Sequence, residues 1–377
     1  MRWLFFSPVV FLIYAGVCFY VGIRLLGFVR CFLPVNAAVF WFSFAALCCV
    51  LVLVNLVRHN LEFLRQAGSF WQAILLYMLM LLAASDVLKL VLHIAGKKAV
   101  NIGMYATGAA ILLCAIFIIY GALHARSIKT VNYDVALRGS GSGIRIVLIS
   151  DLHIGSSIGK THIKKAVDTV NRAGPDMVCV AGDIFDGNID SVKDLRDVVS
   201  LLAEIDAPLG VYACLGNHDV DRTGFSGGST ARIEEILKTT GITLLQDETR
   251  EVRENLYVAG RRDARPIGMN AERKTPQELL AGLEGTIIVL DHQPTQFAAL
   301  EQAGAGLVLS GHTHKGQLFP ATLITRAIFK KASSTYYGYW QGETMQAVVT
   351  SGAGFWGPPL RIGTNSEVAV INLKFMP

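Results

Sequence analysis

The sequence predicts an α/β layered domain preceded by an all-α module of apolar helices. Four apolar stretches of about membrane length fill the first third of the chain, and from residue 144 onward β-branched strands alternate with amphipathic helices. Asp, Asn and His residues recur where those strands end. The composition divides in the same way. Of 377 residues, 52% are hydrophobic and 17% charged, and the mean hydropathy of +0.45 is high for a soluble chain. Residues 1–130 hold ten of the 34 Lys and Arg but only Glu62 and Asp86 of the 29 acidic residues, a net +8 against −3 for the remainder. The overall +5 therefore belongs to the apolar module and is no nucleic-acid footprint.

The apolar stretches run from Leu4 to Ile23, Ala37 to Val57, Phe70 to Ile94 and Ile102 to Leu123. Each is near the ~20 residues that cross a bilayer as a helix. The first is not a removable signal, because three more follow and no small-residue cleavage site leads into a soluble domain. Their short connections argue against buried helices of a large soluble core. Residues 1–125 are thus expected to be a four-helix transmembrane anchor in the cell membrane. Asp86 and Lys89, three apart, read as a pair facing the bundle interior or lying near the interface, since so few ionisable groups make an ion path a poor reading. Five of the seven cysteines lie in or beside the spans and two in strands, a buried usage and not a disulfide framework. Arg2, Arg58, Arg65, Arg126 and Lys129 would flank one side and Arg24, Arg30, Lys97 and Lys98 the other, so five charges against four place the globular domain on the cytoplasmic side.

Residues 126–143 are expected to be a linker with a lead-in strand, ending in the flexible turn Arg138-Gly-Ser-Gly-Ser-Gly143. The domain proper is expected over 144–377. Ile144 to Leu148 reads as a buried strand, Lys160 to Arg172 as a helix, Met177 to Ala181 as a strand and Val192 to Glu204 as a helix. Gly210 to Leu215 is a strand, Ala231 to Thr239 a helix, Thr286 to Leu290 and Gly306 to Leu309 strands, with a helix from Pro294 to Gln302 between the last two.

The chemistry sits where strands end, as it does in open α/β sheets. The first strand runs into Ser150-Asp151-Leu152-His153, the second into Gly182-Asp183-Ile184-Phe185-Asp186, and the third into Gly216-Asn217-His218-Asp219. Asp291-His292 and Gly311-His312-Thr313-His314 follow later strands. A lone His at a strand end is usually structural, but five of nine histidines in such places, interleaved with Asp151, Asp183 and Asn217, point to metal binding. Imidazole with carboxylate suits Mn²⁺, Fe²⁺ or Zn²⁺ better than Ca²⁺ or Mg²⁺. Two ions need a shared carboxylate, and together they make hydroxide available near neutral pH. Asp183, preceded by a glycine that lets backbones approach, is the natural bridge.

In this order, Asp-x-His, Gly-Asp, Gly-Asn-His-Asp, a lone His and Gly-His-x-His resemble the calcineurin-like metallophosphoesterase superfamily over about residues 144 to 373. The tail Gly352-Ala-Gly-Phe-Trp-Gly-Pro-Pro-Leu-Arg-Ile-Gly363 is similar to that of the bacterial membrane-associated branch typified by the YkuE and YaeI proteins. The resemblance implies a four-layer αββα sandwich of two mixed sheets with helices outside. It implies that Asp151, His153 and His314 hold one metal and Asn217, His292 and His312 the other, with Asp183 bridging. It also implies that His218 faces the substrate phosphate and protonates the leaving oxygen. Asp219 either fixes the His218 tautomer or serves as a turn or N-cap residue.

Lys315, where relatives in the branch often have a second glycine, either contacts a phosphate or lipid head group or points to solvent. From Leu323 to Trp340, apolar and aromatic residues interleave with Arg326, Lys330 and Lys331, which suits either a segment at a membrane surface or ordinary packing under the sheet. The expected activity is a membrane-anchored dimetal phosphoesterase that uses metal-activated hydroxide on phosphodiester or pyrophosphate bonds, with a lipid-linked substrate. The same chemistry on a soluble nucleotide or phosphomonoester is the alternative. A non-catalytic metal-binding scaffold is disfavoured because no ligand position is missing, and a transporter because the spans are poor in polar groups. No basic groove with interleaved aromatics speaks for nucleic acid outside the membrane-proximal segment, and nothing in the sequence speaks to oligomeric state.

Overall fold

A computed structural model describes residues 8–53, 62–97, 102–187, 189–220, 229–264, 273–331 and 335–376. The chain divides into two compact units, residues 1–121 and 122–377. The first holds α1 (Pro8–Arg30), α2 (Ala37–Leu53), α3 (Glu62–Ile94) and most of α4 (Ile102–Ala125). Stretches within α1, α3 and α4 are long and apolar enough to cross a membrane, over Pro8–Arg30, Phe63–Ile94 and Gly103–Ala125. The fourth, α2, is apolar but only 17 residues long as described. Its expected continuation to Val57 lies outside the described residues, as do Leu4 to Ser7 of the first span and the loop charges Arg2, Arg58 and Lys98. Asp86 does meet Lys89, at 3.2 Å, but it also binds Arg24 and accepts a 2.7 Å hydrogen bond from Tyr20 on α1. Arg24 therefore lies inside a helix as a partner for Asp86 and is not a loop charge.

In the second unit two six-stranded mixed sheets face each other. The first has the order β1-β12-β2-β3-β4-β5, where β1 is Ile128–Arg138, β2 Ile144–Ile149, β3 Met177–Ala181, β4 Val211–Cys214, β5 Ile242–Leu244 and β12 Ser366–Met376. The second has the order β10-β11-β9-β8-β7-β6, from Gly338–Gln341, Gln346–Val349, Leu307–Ser310, Thr286–Leu290, Leu256–Gly260 and Glu248–Arg253. Strands β2 to β5 are parallel, and so are β7, β8, β9 and β11. Parallel strands covered on both faces should be largely apolar, and these are, with Arg145, Thr243, Thr286, Ser310 and Gln346 as polar exceptions.

Alternation sorts their residues into layers. Ile146, Leu148, Met177, Cys179, Leu290 and Leu309 fill the space between the sheets. Val147, Ile149, Val178 and Val180 face outward onto α5 (Lys160–Arg172), α6 (Leu195–Leu202) and α7 (Ser229–Thr239). On the far side Val289, Val308 and Val349 pack under α8 (Pro276–Leu280) and α9 (Phe297–Gln302). The result is the four-layer αββα sandwich.

The expected lead-in strand within 126–143 is β1, which pairs with β12 over eleven residues as the edge strand of the first sheet. Two helices start three residues later than expected, α6 at Leu195 and α9 at Phe297, the latter because Gln296 has a left-handed φ of 57°. The α6 helix starts later than Val192, since Asp194 has ψ 44° and sits outside helical geometry.

Candidate metal centre

The C-terminal ends of β2, β3, β4, β8 and β9 supply the polar cluster. Asp151, His153 and His314 gather at one point and Asp183, His292 and His312 at a second, each set with ligand atoms within 4.8 Å of one another. Getting there forces the backbone. Asp151, His153, Asp183, His312 and His314 all have φ between 47° and 70°, the left-handed region that non-glycine residues rarely occupy. Neighbouring backbone bonds hold these kinks, with His153 N–H donating to Asp183 O at 3.0 Å and His312 N–H to the Asp151 carboxylate at 3.0 Å. Glycine is required where loops cross: a Cβ on Gly216 would lie 2.2 Å from Asp183 Oδ1, and one on Gly311 would lie 2.4 Å from Asp151 Oδ2.

The buried donors face one another. His292 Nδ1 meets the Ala181 carbonyl at 2.8 Å and so carries its hydrogen there, which turns the lone pair of Nε2 toward Asp183 Oδ2 at 3.1 Å and His312 Nδ1 at 3.3 Å. Likewise His153 Nε2 and His314 Nε2 stand 3.1 Å apart, with Asp151 Oδ1 3.4 Å from the latter. Asn217 Oδ1, also buried, has no donor among the described residues. So many converging acceptors repel unless cations lie between them, and the set of imidazoles, carboxylates and one amide oxygen fits divalent ions. Electrostatics express the same tension. Burial alone would raise Asp183, but His292 beside it holds its carboxyl far below the usual range, while the His292 imidazole is driven up against its own burial by Asp183.

His218 lies beside His153, their ring centroids 4.9 Å apart, and is less buried than the cluster. Its Nδ1 is 3.0 Å from Asp186 Oδ1. Asp219 does not orient this ring. It is fully buried and accepts the N–H groups of Ile184, Phe185 and Gly216, tying the Asp183 loop to the Asn217 loop. Burial, and next the charge of Asp183, raise its pKa to about 6. Asp219 thus makes the bonds of a turn residue, and the carboxylate that meets His218 Nδ1 is Asp186, which burial pushes up but its bonds to His153 and His218 hold low.

Lys315 does not extend freely into solvent. Its ammonium sits 3.8 Å over the Tyr337 ring, half-buried, and burial lowers its pKa. Sequence reasoning gave Asp186 no role, although it stands three residues after Asp183. It also gave none to two residues of the quoted tail. Trp356 places its ring 6.2 Å from that of His218, and buried Arg361 donates to the carbonyls of His314, Ser351, Gly352 and Gly354.

Comparison with known proteins agrees with this fold. Residues 144–316 match the family model described as calcineurin-like phosphoesterase. A transmembrane protein with metallophosphoesterase domain from Danio rerio is 31% identical over 86% of this chain and 76% of its own length. An uncharacterized metallophosphoesterase of Campylobacter jejuni is 29% identical over 77% of this chain and 76% of its own. The uncharacterized metallophosphoesterase YkuE of Bacillus subtilis is 29% identical over 62% and 79%. The chain belongs to the calcineurin-like metallophosphoesterase family, and its apolar N-terminal helices fit a membrane anchor.

Proposed function

We propose that this chain is a membrane-anchored hydrolase of phosphodiester or pyrophosphate bonds, working at a two-metal centre on the cytoplasmic side of the cell membrane. The observation that carries the chemistry is the convergence of buried, mutually facing acceptors at five strand ends. In this reading Asp151, His153 and His314 hold one ion, Asn217, His292 and His312 hold the other, and Asp183 touches both. Mn²⁺, Fe²⁺ or Zn²⁺ suits that donor set. When bound, such a pair supplies the Lewis acidity that makes water nucleophilic near neutral pH and neutralises phosphate charge.

The remaining steps belong to side chains. His218, with Nδ1 engaged by Asp186, presents Nε2 to the substrate, stabilises its charge and gives a proton to the leaving oxygen. Trp356, 41% exposed beside that ring, forms an apolar wall for whatever the phosphate carries. A lipid-linked substrate is supported by α10 (Ala321–Lys331), which begins seven residues after His314 and exposes Leu323, Ile324 and Ile328 to solvent at 57–60%. Apolar side chains beside exposed Arg326 and Lys330 suit a membrane interface.

The test is hydrolysis of an aryl phosphodiester and the matching monoester by the detergent-purified full-length protein supplied with Mn²⁺. Diester turnover that disappears, together with bound metal, in Asp183→Asn is the expected result. Full activity in that variant would refute the bridging role, and monoester preference would redirect the substrate class.

A further inference from the structure

A second polar feature lies away from the metal centre. In the second unit a cleft of ≈ 480 Å³ opens where α4 passes into β1. One wall is Arg126 and Ser127, which directly follow the last residue of α4. The other is one face of α5, where Lys165, Thr169 and Arg172 recur at helical spacing. All three cations are exposed, and none is in an ion pair among the described residues. The nearby Asp168 is already paired with Lys164 at 3.0 Å. Thr169 Oγ1 donates to Lys165 O and accepts from Arg172, which steadies that guanidinium at the cleft. The positive field reaches His162, whose pKa burial lowers and Lys165, Arg361 and Arg126 lower further against its bond to Ala353 O.

Depth narrows the ligand. The apolar stretch Gly103–Ala125 has 23 residues, or about 34 Å of helix at ~1.5 Å per residue, against a hydrocarbon core of ~30 Å. Its last turn therefore reaches the headgroup layer, and Arg126 is the first charge beyond it. Leu123, 65% exposed, and the partly buried Ile128 make an apolar lip on a basic cleft. We propose that this cleft binds the phosphate headgroup of an anionic membrane lipid. Arg126, Lys165 and Arg172 hold the phosphate, Ser127 donates to it, and the acyl chains leave along Leu123. Free phosphate offers the same charge, but it has no use for the lip or for the depth of the site. The inference rests on α4 crossing the bilayer and not on the hydrolytic reading.

The test uses the full-length protein in nanodiscs of phosphatidylcholine with a minor fraction of phosphatidylglycerol, followed by native mass spectrometry of retained lipid. Wild type should retain phosphatidylglycerol selectively. The combined Arg126→Gln, Lys165→Gln and Arg172→Gln variant should lose it, with about fivefold weakening per charge removed. The charge-matched control Lys238→Gln, Arg250→Gln and Lys374→Gln should keep it. Both triple variants are first matched to wild type in thermal unfolding, and Arg172→Gln, at the exposed end of α5, carries the test if the combined variant does not fold. Equal retention by the two triple variants overturns the proposal. So does saturation of wild type by inorganic phosphate with no preference for phosphatidylglycerol over phosphatidylcholine. Release of wild type from membranes by alkaline carbonate would remove the premise, whatever the outcome of the hydrolysis assay.

Discussion

At the scale of single residues, the centre is built from conformations that most sequences avoid. Left-handed φ in a non-glycine residue costs on the order of 1 kcal/mol, and five candidate ligands adopt it together. Such strain persists only where surrounding bonds over-determine it, as around Asp183, where Asp219 accepts the N–H groups of Ile184, Phe185 and Gly216. Because Asp186 and not Asp219 meets His218, the two carboxylates should behave differently when altered. His218→Ala is expected to slow turnover by about 100-fold or more while metal content, measured by elemental analysis, stays near wild type. Asp186→Asn should slow it by roughly 10-fold. Metal loss in His218→Ala would instead move that ring into the ligand set. Sequence reasoning could single out His218 and the seven candidate ligands because each lies a few residues past an apolar run whose end is easy to read. It offered Asp219 as the partner of His218 and passed over Asp186, because which of two nearby carboxylates meets a ring depends on which way each side chain turns.

At the scale of elements, strands and long helices were legible because their apolar periodicity is strong. Lys160 to Arg172 and Met177 to Ala181 coincide with α5 and β3. What was not legible is how the tail closes on the centre. Arg361 reaches four carbonyls, and such a contact has no local sequence signal beyond an arginine in a glycine-rich run. His162 on α5 shows a similar long-range dependence. Its Nε2 lies 2.8 Å from Ala353 O and its ring packs edge-on against Phe355, so α5 is latched to the tail by a buried neutral imidazole. Burial lowers its pKa below the usual ~6.5. The unfolded chain then binds the proton more readily than the folded one. The stabilisation is therefore complete above pH ~6.5 and is lost as pH falls from there through the lower folded value. Urea unfolding of the metal-saturated protein across that window should show wild type losing stability toward acid. His162→Gln, which has no proton to gain, should show a flatter profile. Parallel profiles for the two proteins would assign the acid sensitivity to other groups.

At the scale of the whole molecule, the passage from anchor to sandwich is where sequence reasoning was least informative, because the partners of a helix end and a lead-in strand leave no local signal. The last turn of α4 belongs to the second unit. Ala125 is fully buried in the cluster beneath α5, its carbonyl accepts from Ser366 Oγ at 2.9 Å, and His124 Nε2 lies 2.7 Å from Asn365 Oδ1. Strand β1 then contributes its full length to the sheet. A chain beginning at residue 122 keeps all of these contacts, whereas one beginning at Asn132 loses the buried Ala125 and the first four residues of β1. The longer version should unfold at the higher temperature and retain metal, as calorimetry and elemental analysis would show, and equal stability of the two would mean that the last turn of α4 adds nothing to the fold. Freed of its other apolar helices, the same chain isolates the contribution of α10. Replacing Leu323, Ile324 and Ile328 by Ser removes side chains whose burial in a bilayer is worth on the order of 1 kcal/mol or more each. Vesicle co-sedimentation should then fall by at least about tenfold. Unchanged sedimentation would separate α10 from the membrane and leave the lipid-linked substrate without its structural support.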